Sequence, residues 1–372
     1  MTDSRYRIDD TSEIISPALV LFHEILDENI SKMIEIAGDA SRLRPHCKTH
    51  KMRQVAELEL SRGITKHKAA TFGEAEMLAD VGAKDVFLAY NLVGPNIERA
   101  VRFVQKYPDV TFLVTADHTE PISALGRAMA DAEQSIDVLL DIDTGQHRTG
   151  LEVGTQAKDL YHRIAETRGL QAGGLHVYDG QQHQSSRDER QAAVDKEWAK
   201  VIDFRNDLVA GNCNVPRIVA GGTPTFPIYA EKDEPTLELS PGTCVFNDAG
   251  YGGDFPDLQF APAALLLTRV ISRPTSDRVT LDLGYKAVAS DPPAGRRVVV
   301  HGLEDAEQVL QNEEHLVLQT ARAAEFKPGD ELLAVPRHIC PTSAMHQQAV
   351  VVRDGQVVDR WDVVARDRQL TI

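Results

Sequence analysis

Arg44-Pro45-His46-Cys47-Lys48-Thr49-His50-Lys51 is a basic stretch at residues 44–51. It lies at the end of the first of a series of short strand-like runs in this chain. Seven further runs follow before residue 245, and segments with the apolar spacing of amphipathic helices separate them. Strands that alternate with helices are typical of an α/β fold with a parallel sheet. The eight strand candidates are 43–48, 68–71, 85–90, 111–115, 136–143, 173–178, 217–221 and 237–240.

These eight candidates predict a (β/α)8 barrel of the TIM type. The helical segments between them include 52–62, 72–81, 96–106, 121–132 and 155–168. An open doubly wound sheet is the alternative, but in that fold the functional residues gather at one switch point. In this chain polar and glycine-rich motifs follow many of the strands, which favours the barrel.

The pattern changes after about residue 256. Turn signals now separate short β-rich runs without intervening helices. The runs are 264–272, 278–282, 297–301, 315–319, 331–335 and 347–352. We therefore predict a barrel over residues 18–255, a C-terminal all-β domain over residues 256–372, and an N-terminal segment, 1–17, that is free to join the β-domain as an edge strand.

Composition narrows the class of protein. The 372 residues carry a formal net charge of −16, which disfavours nucleic acid and anionic membranes as partners. The four cysteines form no CxxC pair, the N-terminus lacks the apolar run of a signal peptide, and no stretch is long and apolar enough to span a membrane. We therefore expect a cytoplasmic protein without disulfides.

Lys48 lies where barrel enzymes place catalytic groups, at the carboxyl end of the first strand. A lysine that is partly desolvated there, beside other cations, is favoured in the free amine form that reacts with a carbonyl group to form an imine. A solvated basic loop that binds an anion is the alternative. One lysine in a basic run does not decide between the two.

Two glycine loops follow the last two strand candidates. In Gly221-Gly222-Thr223 and Pro241-Gly242-Thr243, the glycines let the backbone approach a ligand closely, and each threonine adds a hydroxyl donor. Loops after strands seven and eight are the usual phosphate site of barrels. Each loop alone is also compatible with an ordinary tight turn.

Polar side chains follow two further strands. Arg148 comes just after the strand that carries Asp141 and Asp143, so it is suited to donate hydrogen bonds to a ligand, to pair with these aspartates, or to do both. Tyr178 ends the next strand, where its ring either lines a ligand or belongs to the core.

Three histidines are candidates for proton transfer, because imidazole titrates near neutral pH. His176 and His183 flank the loop after the strand that ends at Tyr178, and His50 lies in the basic stretch 44–51.

His338-Ile339-Cys340 is a candidate metal motif. On a strand, residues two apart point the same way, so an imidazole and a thiolate are able to reach one ion. Nitrogen with sulfur suits zinc. Two ligands alone make a weak site, and a single His-x-Cys usually binds no metal.

The order and spacing of these motifs resemble the D-threonine aldolase and D-serine dehydratase group of fold-type III pyridoxal 5′-phosphate (PLP) enzymes, which are relatives of alanine racemase. The resemblance begins with Arg-Pro-His-x-Lys-Thr-His-Lys at residues 44–51 and covers nearly the whole chain. It continues through residues 74–75, 143–150, 176–180, 221–223, 238–243, 282–284, 313–315 and 336–342.

The resemblance implies roles for individual residues. It makes Lys48, and not Lys51, the residue that forms an imine with PLP, and it places Arg148 and Tyr178 at the cofactor. The residues implied at the PLP phosphate are Gly222, Thr223, Gly242 and Thr243.

The same resemblance makes His338 and Cys340 the metal pair. Dehydratase members carry His-x-Cys, as this chain does. D-threonine aldolases carry His-x-Asp and prefer harder ions such as manganese. This chain therefore departs from the aldolase pattern at the residue that tunes the metal, and zinc and manganese both remain candidates.

The resemblance implies a PLP- and metal-dependent lyase that acts on D-β-hydroxy-α-amino acids. We expect retro-aldol cleavage to glycine and an aldehyde, as in D-threonine aldolase. Dehydration of D-serine or D-threo-3-hydroxyaspartate to a 2-oxo acid and ammonia is the close alternative, favoured by Cys340. Relatives with this architecture also imply a homodimer.

Three other functions stay open. An amino-acid racemase would need a second base, and Tyr285 is the only tyrosine after residue 251. A non-catalytic PLP carrier would end with the barrel, whereas this chain continues to residue 372. A barrel without PLP that binds another phosphate is the third.

Overall fold

The computed structural model describes residues 4–372. The strands in this part of the chain are β1 (Ala18–Phe22), β2 (Lys66–Ala69), β3 (Asp85–Asn91), β4 (Thr111–Ala116), β5 (Ile136–Ile142), β6 (Leu170–Val177), β7 (Ile218–Ala220), β8 (Leu237–Leu239), β9 (Ala264–Thr275), β10 (Arg278–Leu281), β11 (Val298–Val300), β12 (Glu307–Gln311), β13 (Leu316–Gln319), β14 (Glu331–Pro336), β15 (Gln348–Arg353) and β16 (Gln356–Asp362).

The α-helices are α1 (His23–Ala37), α2 (Arg53–Ser61), α3 (Phe72–Asp80), α4 (Pro95–Lys106), α5 (Thr119–Asp131), α6 (Thr155–Glu166), α7 (Arg187–Ala210), α8 (Phe226–Ala230), α9 (Ala249–Asp254) and α10 (Ile339–Met345). The five helical segments predicted from apolar spacing correspond to α2–α6. Across the described residues, no helix combines the length and the apolar character that crossing a membrane requires.

Internal contacts divide the chain into two compact units. The barrel unit comprises residues 34–48, 55–242 and 368–372. The β unit comprises, among the described residues, 4–33, 49–54 and 243–367. This division is not linear in sequence, because the sheet of the β unit takes β1 from the N-terminal part of the chain.

The barrel unit contains a parallel sheet of seven strands, β2 to β8, in chain order. Residues 43–46 form isolated parallel bridges on both sides of this sheet, from Leu43 to Leu239 on β8 and from His46 to Lys68 on β2. The segment therefore takes the eighth position between the first and last strands. This arrangement confirms the predicted α/β barrel.

The prediction of a regular strand over residues 43–48 is wrong. Arg44 N donates to Leu239 O (2.7 Å), Pro45 O accepts from Lys68 N (2.8 Å), and the chain then turns into a 3-10 helix, Cys47–Thr49. Proline has no N–H to donate, so the strand ladder cannot continue regularly through Pro45. Lys48 consequently lies on a tight turn directly after the segment.

The barrel core is apolar where four strands meet. Phe87, Leu113, Leu139 and Val219, on β3, β4, β5 and β7, are fully buried and pack together. Asp141 follows Leu139 by two residues on β5 and therefore faces the same side of the strand. The inward face thus changes from apolar to polar towards the carboxyl end of β5.

β6 contains a glycine bulge that shifts its register with β5 by one residue. Val138 pairs with Ala172, whereas the next residue of β5 pairs with Gly174, so Gly173 is the extra residue. Gly174 has a φ of +113°, and a Cβ there would lie 2.0 Å from Arg217 O. Only glycine fits this position. Because the bulge adds one residue, it determines on which face of β6 each later side chain lies.

The β unit contains a mixed sheet. Its strand order is β12-β13-β10-β9-β1-β15-β16, with β14 paired to β9 and β11 paired to β14. β1 runs parallel to β15 and antiparallel to β9. This confirms the predicted C-terminal sheet, to which the structure adds the short helices α9 and α10. All six predicted β-rich runs are strands, namely β9, β10, β11, β13, β14 and β15.

Arg44 is a fully buried arginine that joins the closing segment to two strands. Its Nε donates to Glu238 Oε2 on β8 (2.5 Å), and its Nη1 donates to Asp85 Oδ1 on β3 (2.6 Å). Burial raises the pKa of Glu238, but the charges of Arg44 and Lys66 lower it, and the resulting pKa lies below the usual value. Glu238 is therefore ionised and depends on these cations.

We expect Arg44→Met to destabilise the protein by about 3–5 kcal/mol, because it leaves a buried carboxylate incompletely paired. The matched control is Arg102→Met, which removes an exposed arginine 3.4 Å from Glu98 and should cost about 0.5 kcal/mol or less. Urea unfolding followed by circular dichroism measures both. Equal losses in the two variants would contradict a structural role for the Arg44 pairs.

Candidate active site

Lys48 lies at the carboxyl end of the barrel strands, half-buried, in the 3-10 turn after residues 43–46. Its backbone N–H donates to His46 Nδ1 at 3.3 Å, which fixes the turn. The structure thus presents a primary amine at the position that the sequence indicated.

A second group of potential ligands adjoins Lys48 in the chain. Ligand atoms of His46, Cys47 and Glu74 lie within 4.8 Å of one another. However, Glu74 Oε2 accepts a hydrogen bond from Ala70 N (2.6 Å) and lies 3.7 Å from Cys47 Sγ. These contacts give Glu74 a structural role between β2 and α3, so we do not assign a metal to this group.

Tyr178 is the centre of a cluster in the barrel unit. The guanidinium carbon of Arg148 lies 4.7 Å from the centroid of its ring, and Lys68 Nζ lies 5.7 Å from it. A Cβ on Gly222 would lie 3.2 Å from Tyr178 Cε2, and one on Gly180 would lie 2.5 Å from Cε1. The two glycines therefore let the main chain approach the ring from two loops.

The loop after β7 is held by a buried carboxyl group. Gly222 N donates to Thr225 Oγ1 (3.1 Å), and that hydroxyl donates to Asp179 Oδ1 (2.9 Å). Burial raises the pKa of Asp179 to about 6. Gly242 N, in the loop after β8, lies 3.4 Å from Thr223 Oγ1. A backbone N–H group of each predicted loop thus donates to a threonine hydroxyl, and the hydroxyl of Thr223 connects the two loops.

Sequence reasoning missed Lys68. This residue is 4% exposed, and its Nζ lies 2.9 Å from His176 Nε2, while His176 Nδ1 lies 2.7 Å from Asp141 Oδ1. Burial and the positive charge of Lys48 lower the pKa of Lys68 to about 7. Burial and the charge of Lys68 lower the pKa of His176 to about 4. One signal in the sequence pointed to it: Lys68 lies inside a predicted barrel strand, and a side chain that points inward from such a strand is buried.

The other two candidate histidines have different surroundings. His183 is exposed. His50 belongs to the β unit, where it is 1% exposed; its Nδ1 accepts from Met52 N at 3.1 Å, and its ring packs edge-on against Phe246. Through these contacts the imidazole of His50 stabilises a turn. Its role in proton transfer stays a prediction.

His338 and Cys340 do not lie on a strand, so that prediction is wrong. β14 ends at Pro336, His338 is the extended N-cap residue of α10, and Cys340 is in its first turn. The side chains nevertheless meet. Burial lowers the pKa of His338, but its hydrogen bond to Cys340 and the carboxylate of Asp291 raise it, to about 9.

Several groups of the β unit surround this pair. Asp291 Oδ2 lies 2.5 Å from His338 Nδ1, the kind of carboxylate contact that orients a metal-binding imidazole. Cys340 Sγ lies 3.3 Å from Thr49 Oγ1 and 3.5 Å from Thr243 Oγ1. Thr243, predicted at the phosphate, therefore has its hydroxyl beside the thiol.

Asp248 anchors the helix that carries Cys340. Its Oδ2 accepts from Ile339 N at 3.0 Å, and its Oδ1 accepts from Tyr251 N at 2.8 Å, so one carboxylate caps both α9 and α10. Burial raises its pKa to about 6. Neither Asp248 nor Asp291 belongs to a motif recognisable in the sequence.

The residues present fit both expected groups. A PLP phosphate suits the loops after β7 and β8, where Ser240 Oγ is buried and has no hydrogen-bond partner among the described residues. Tyr178 offers an aromatic surface and Lys48 an amine that is able to react with the PLP aldehyde. The nitrogen and sulfur of His338 and Cys340 are the donor types that zinc prefers.

The family model for "Alanine racemase, N-terminal domain" matches residues 24–249, and that for "Putative serine dehydratase domain" matches residues 263–352. D-threonine aldolase of Arthrobacter sp is 30% identical over 96% of this chain and 94% of its own. D-threo-3-hydroxyaspartate dehydratase of Delftia sp. is 25% identical over 93% and 96%. The crystal structure of D-threonine aldolase from Filomicrobium marinum superposes with a TM-score of 0.88 and 28% identity, over 95% of this chain and 96% of that one.

A match that extends over almost the full length of a 30% identical relative shows common descent, and the solved aldolase has the same fold. The chain belongs to the D-threonine aldolase family of fold-type III PLP enzymes, with a barrel of the alanine racemase type.

Proposed function

We propose that this protein is a PLP- and divalent-metal-dependent lyase that cleaves a D-β-hydroxy-α-amino acid to glycine and an aldehyde. The observation that carries the proposal is the cluster at the carboxyl ends of the barrel strands, where Arg148, Lys68 and Gly222 surround the ring of Tyr178. Full-length similarity to a D-threonine aldolase supports the reaction type.

When bound, PLP withdraws electrons from the bonds at the substrate Cα, and a divalent ion polarises the β-hydroxyl group. Lys48 holds the cofactor aldehyde through its amine. Gly222, Thr223, Gly242 and Thr243 hold the phosphate through N–H and O–H donors.

The remaining predicted residues act on the ring, the metal and the protons. Arg148 donates hydrogen bonds to the cofactor, and Tyr178 lines its ring. His338 and Cys340 hold the metal, and the carboxylate of Asp291 fixes the tautomer of His338. Tyr178, His50 and His183 are the proposed groups for proton transfer, in addition to Lys48.

Dehydration of D-serine or D-threo-3-hydroxyaspartate is the second candidate function. Cys340 supports dehydration, because a soft thiolate favours zinc. The match of residues 263–352 to the serine dehydratase model also supports it. We also propose, from the resemblance alone, a homodimer in the cytoplasm.

We expect incubation of the PLP-loaded protein with D-threonine to yield glycine and acetaldehyde, because the aldolase relative is the more similar one. Product analysis by chromatography, with added zinc or manganese and with a chelator, measures this. D-serine serves as the parallel substrate. Formation of 2-oxo acid and ammonia from both substrates would replace the aldolase by the dehydratase, and activity unaffected by the chelator would remove the metal from the proposal.

Lys48→Arg is expected to abolish the covalent attachment of PLP, since a guanidinium remains protonated and does not react with the aldehyde. The matched control is Lys51→Arg, three residues further along the chain, which should bind PLP like the wild-type protein. Borohydride reduction followed by peptide mass mapping gives the attachment site. A label on Lys51, or on neither lysine, would overturn the assignment of Lys48.

Cys340→Asp should lower zinc affinity by roughly tenfold or more and raise the preference for manganese over zinc, because a carboxylate is a harder ligand than a thiolate. Cys213→Ala, a change at a half-buried cysteine of the barrel unit, is the control and should leave the metal content unchanged. Metal analysis after equilibrium dialysis measures the bound zinc and manganese of both variants. Unaltered zinc binding by Cys340→Asp would exclude the thiol as a ligand.

A further inference from the structure

Lys68 is a buried amine that the proposed reaction does not use. It lies on β2 with 4% of its surface exposed, and its nitrogen faces the rings of Phe87 (5.8 Å) and Tyr178 (5.7 Å). Its hydrogen-bond partner is an imidazole and not a carboxylate. A lysine buried without a directly paired anion is costly to protonate, so its presence in the barrel requires an explanation.

The direction of the hydrogen bonds follows from the chemistry of the three groups. Asp141 is an acceptor, so His176 donates Nδ1–H to it and keeps Nε2 unprotonated. Nε2 therefore accepts a hydrogen bond from the amine of Lys68, 2.9 Å away. The neutral amine uses one N–H in this bond and keeps its lone pair, while the ammonium form adds one more N–H. Both forms of Lys68 are thus compatible with the same geometry.

The charges around Lys68 come from several elements of the barrel unit. The facing titratable or charged groups are Lys48, Asp141, Arg148, Arg44, His176, Tyr178 and Asp179. The three cations oppose the ammonium form and Asp141 supports it. Burial, together with the charge on Lys48, lowers the pKa of Lys68 to about 7. The charge of Lys68 therefore changes near neutral pH.

We propose that Lys68 is a positioning residue that, held by His176 and Asp141, switches a positive charge beside Lys48 on and off and so sets the protonation state of the cofactor-binding site. The effect on the cofactor-binding site rests on the proposed function, whereas the change of charge on Lys68 does not. The titration of Lys68 itself is a property of the chain and is measurable without PLP.

The first experiment measures this titration from the stability of the full-length chain without added cofactor. Lys68 has a lower pKa when folded than its ordinary value of 10.5, so between these two pKa values the unfolded chain binds one more proton than the folded chain. The unfolding constant should therefore fall by an additional factor of about ten for each pH unit between about pH 7.5 and pH 9.5, relative to Lys68→Met.

Urea unfolding over this range, for the wild type, Lys68→Met and Lys66→Met, gives the comparison. Lys66 lies on the same strand but is partnered by Glu238 at 3.0 Å, so it controls for the loss of any lysine. Parallel pH dependences for the wild type and Lys68→Met would show that Lys68 stays protonated, which would overturn the proposal.

The second experiment follows the absorbance spectrum of the PLP-loaded protein against pH. Lys68→Met removes a positive charge and should raise the midpoint of the cofactor titration by about one pH unit or more. Lys68→Arg keeps a permanent charge and should leave the midpoint at or below that of the wild type. Identical midpoints in all three proteins would reduce Lys68 to a structural role.

A third variant covers the case that Lys68→Met does not fold. Asp141→Asn keeps the size of the side chain but removes the anion that supports the ammonium form, so the extra pH dependence of unfolding should begin at lower pH. An unchanged onset would contradict the coupling through His176. If the wild-type protein binds no PLP at all, the proposed function fails, while the unfolding experiments still decide the titration of Lys68.

Discussion

The closure of the barrel by residues 43–46 is the constraint on which the candidate site depends. Hydrogen bonds from this segment to β8 and β2 fix the chain just before Lys48, and the buried Arg44 ties it to Glu238 and Asp85. A charge this deeply buried tolerates few alternative arrangements, because every displacement leaves a carboxylate unpaired. The position of the reactive amine is therefore set by ion pairs at a distance from it.

The inward face of the barrel is apolar around Phe87 and polar around His176, and the two sets are in contact: their rings pack edge-on at 5.3 Å. This boundary gives Lys68, His176 and Asp141 a low-dielectric environment in which one proton has large electrostatic effects. The glycine bulge in β6 belongs to the same arrangement, because it determines the face on which His176 and Tyr178 emerge.

Much of this structure follows from local sequence signals. Apolar period and turn residues identified the barrel strands, the six predicted β runs and the two glycine loops, because each signal is contained within a few residues. The sequence alone places residues 18–22 in the barrel, since nothing in them reveals that β1 pairs with strands almost 250 and 330 positions away. Cys340 was placed on a strand because the cap at Asp248, which starts α10, is distant in sequence. Lys68 was missed for a related reason, since its burial depends on partners from β3, β5 and β6.

In the proposed function, the groups that decide between carbon–carbon cleavage and dehydration differ from those that hold the cofactor. The roles proposed for Lys48, Tyr178 and the loops after β7 and β8 concern the amino group, the ring and the phosphate, which both reactions share. The β-hydroxyl must lose a proton in one reaction and leave as hydroxide in the other, and a metal promotes either step according to its acidity. With the proposed ligands, that acidity would depend on the thiolate of Cys340 and on Asp291, which contacts His338. In the proposed function, therefore, the two side chains that would tune the metal both belong to the β unit, whereas Lys48 and Tyr178 belong to the barrel unit.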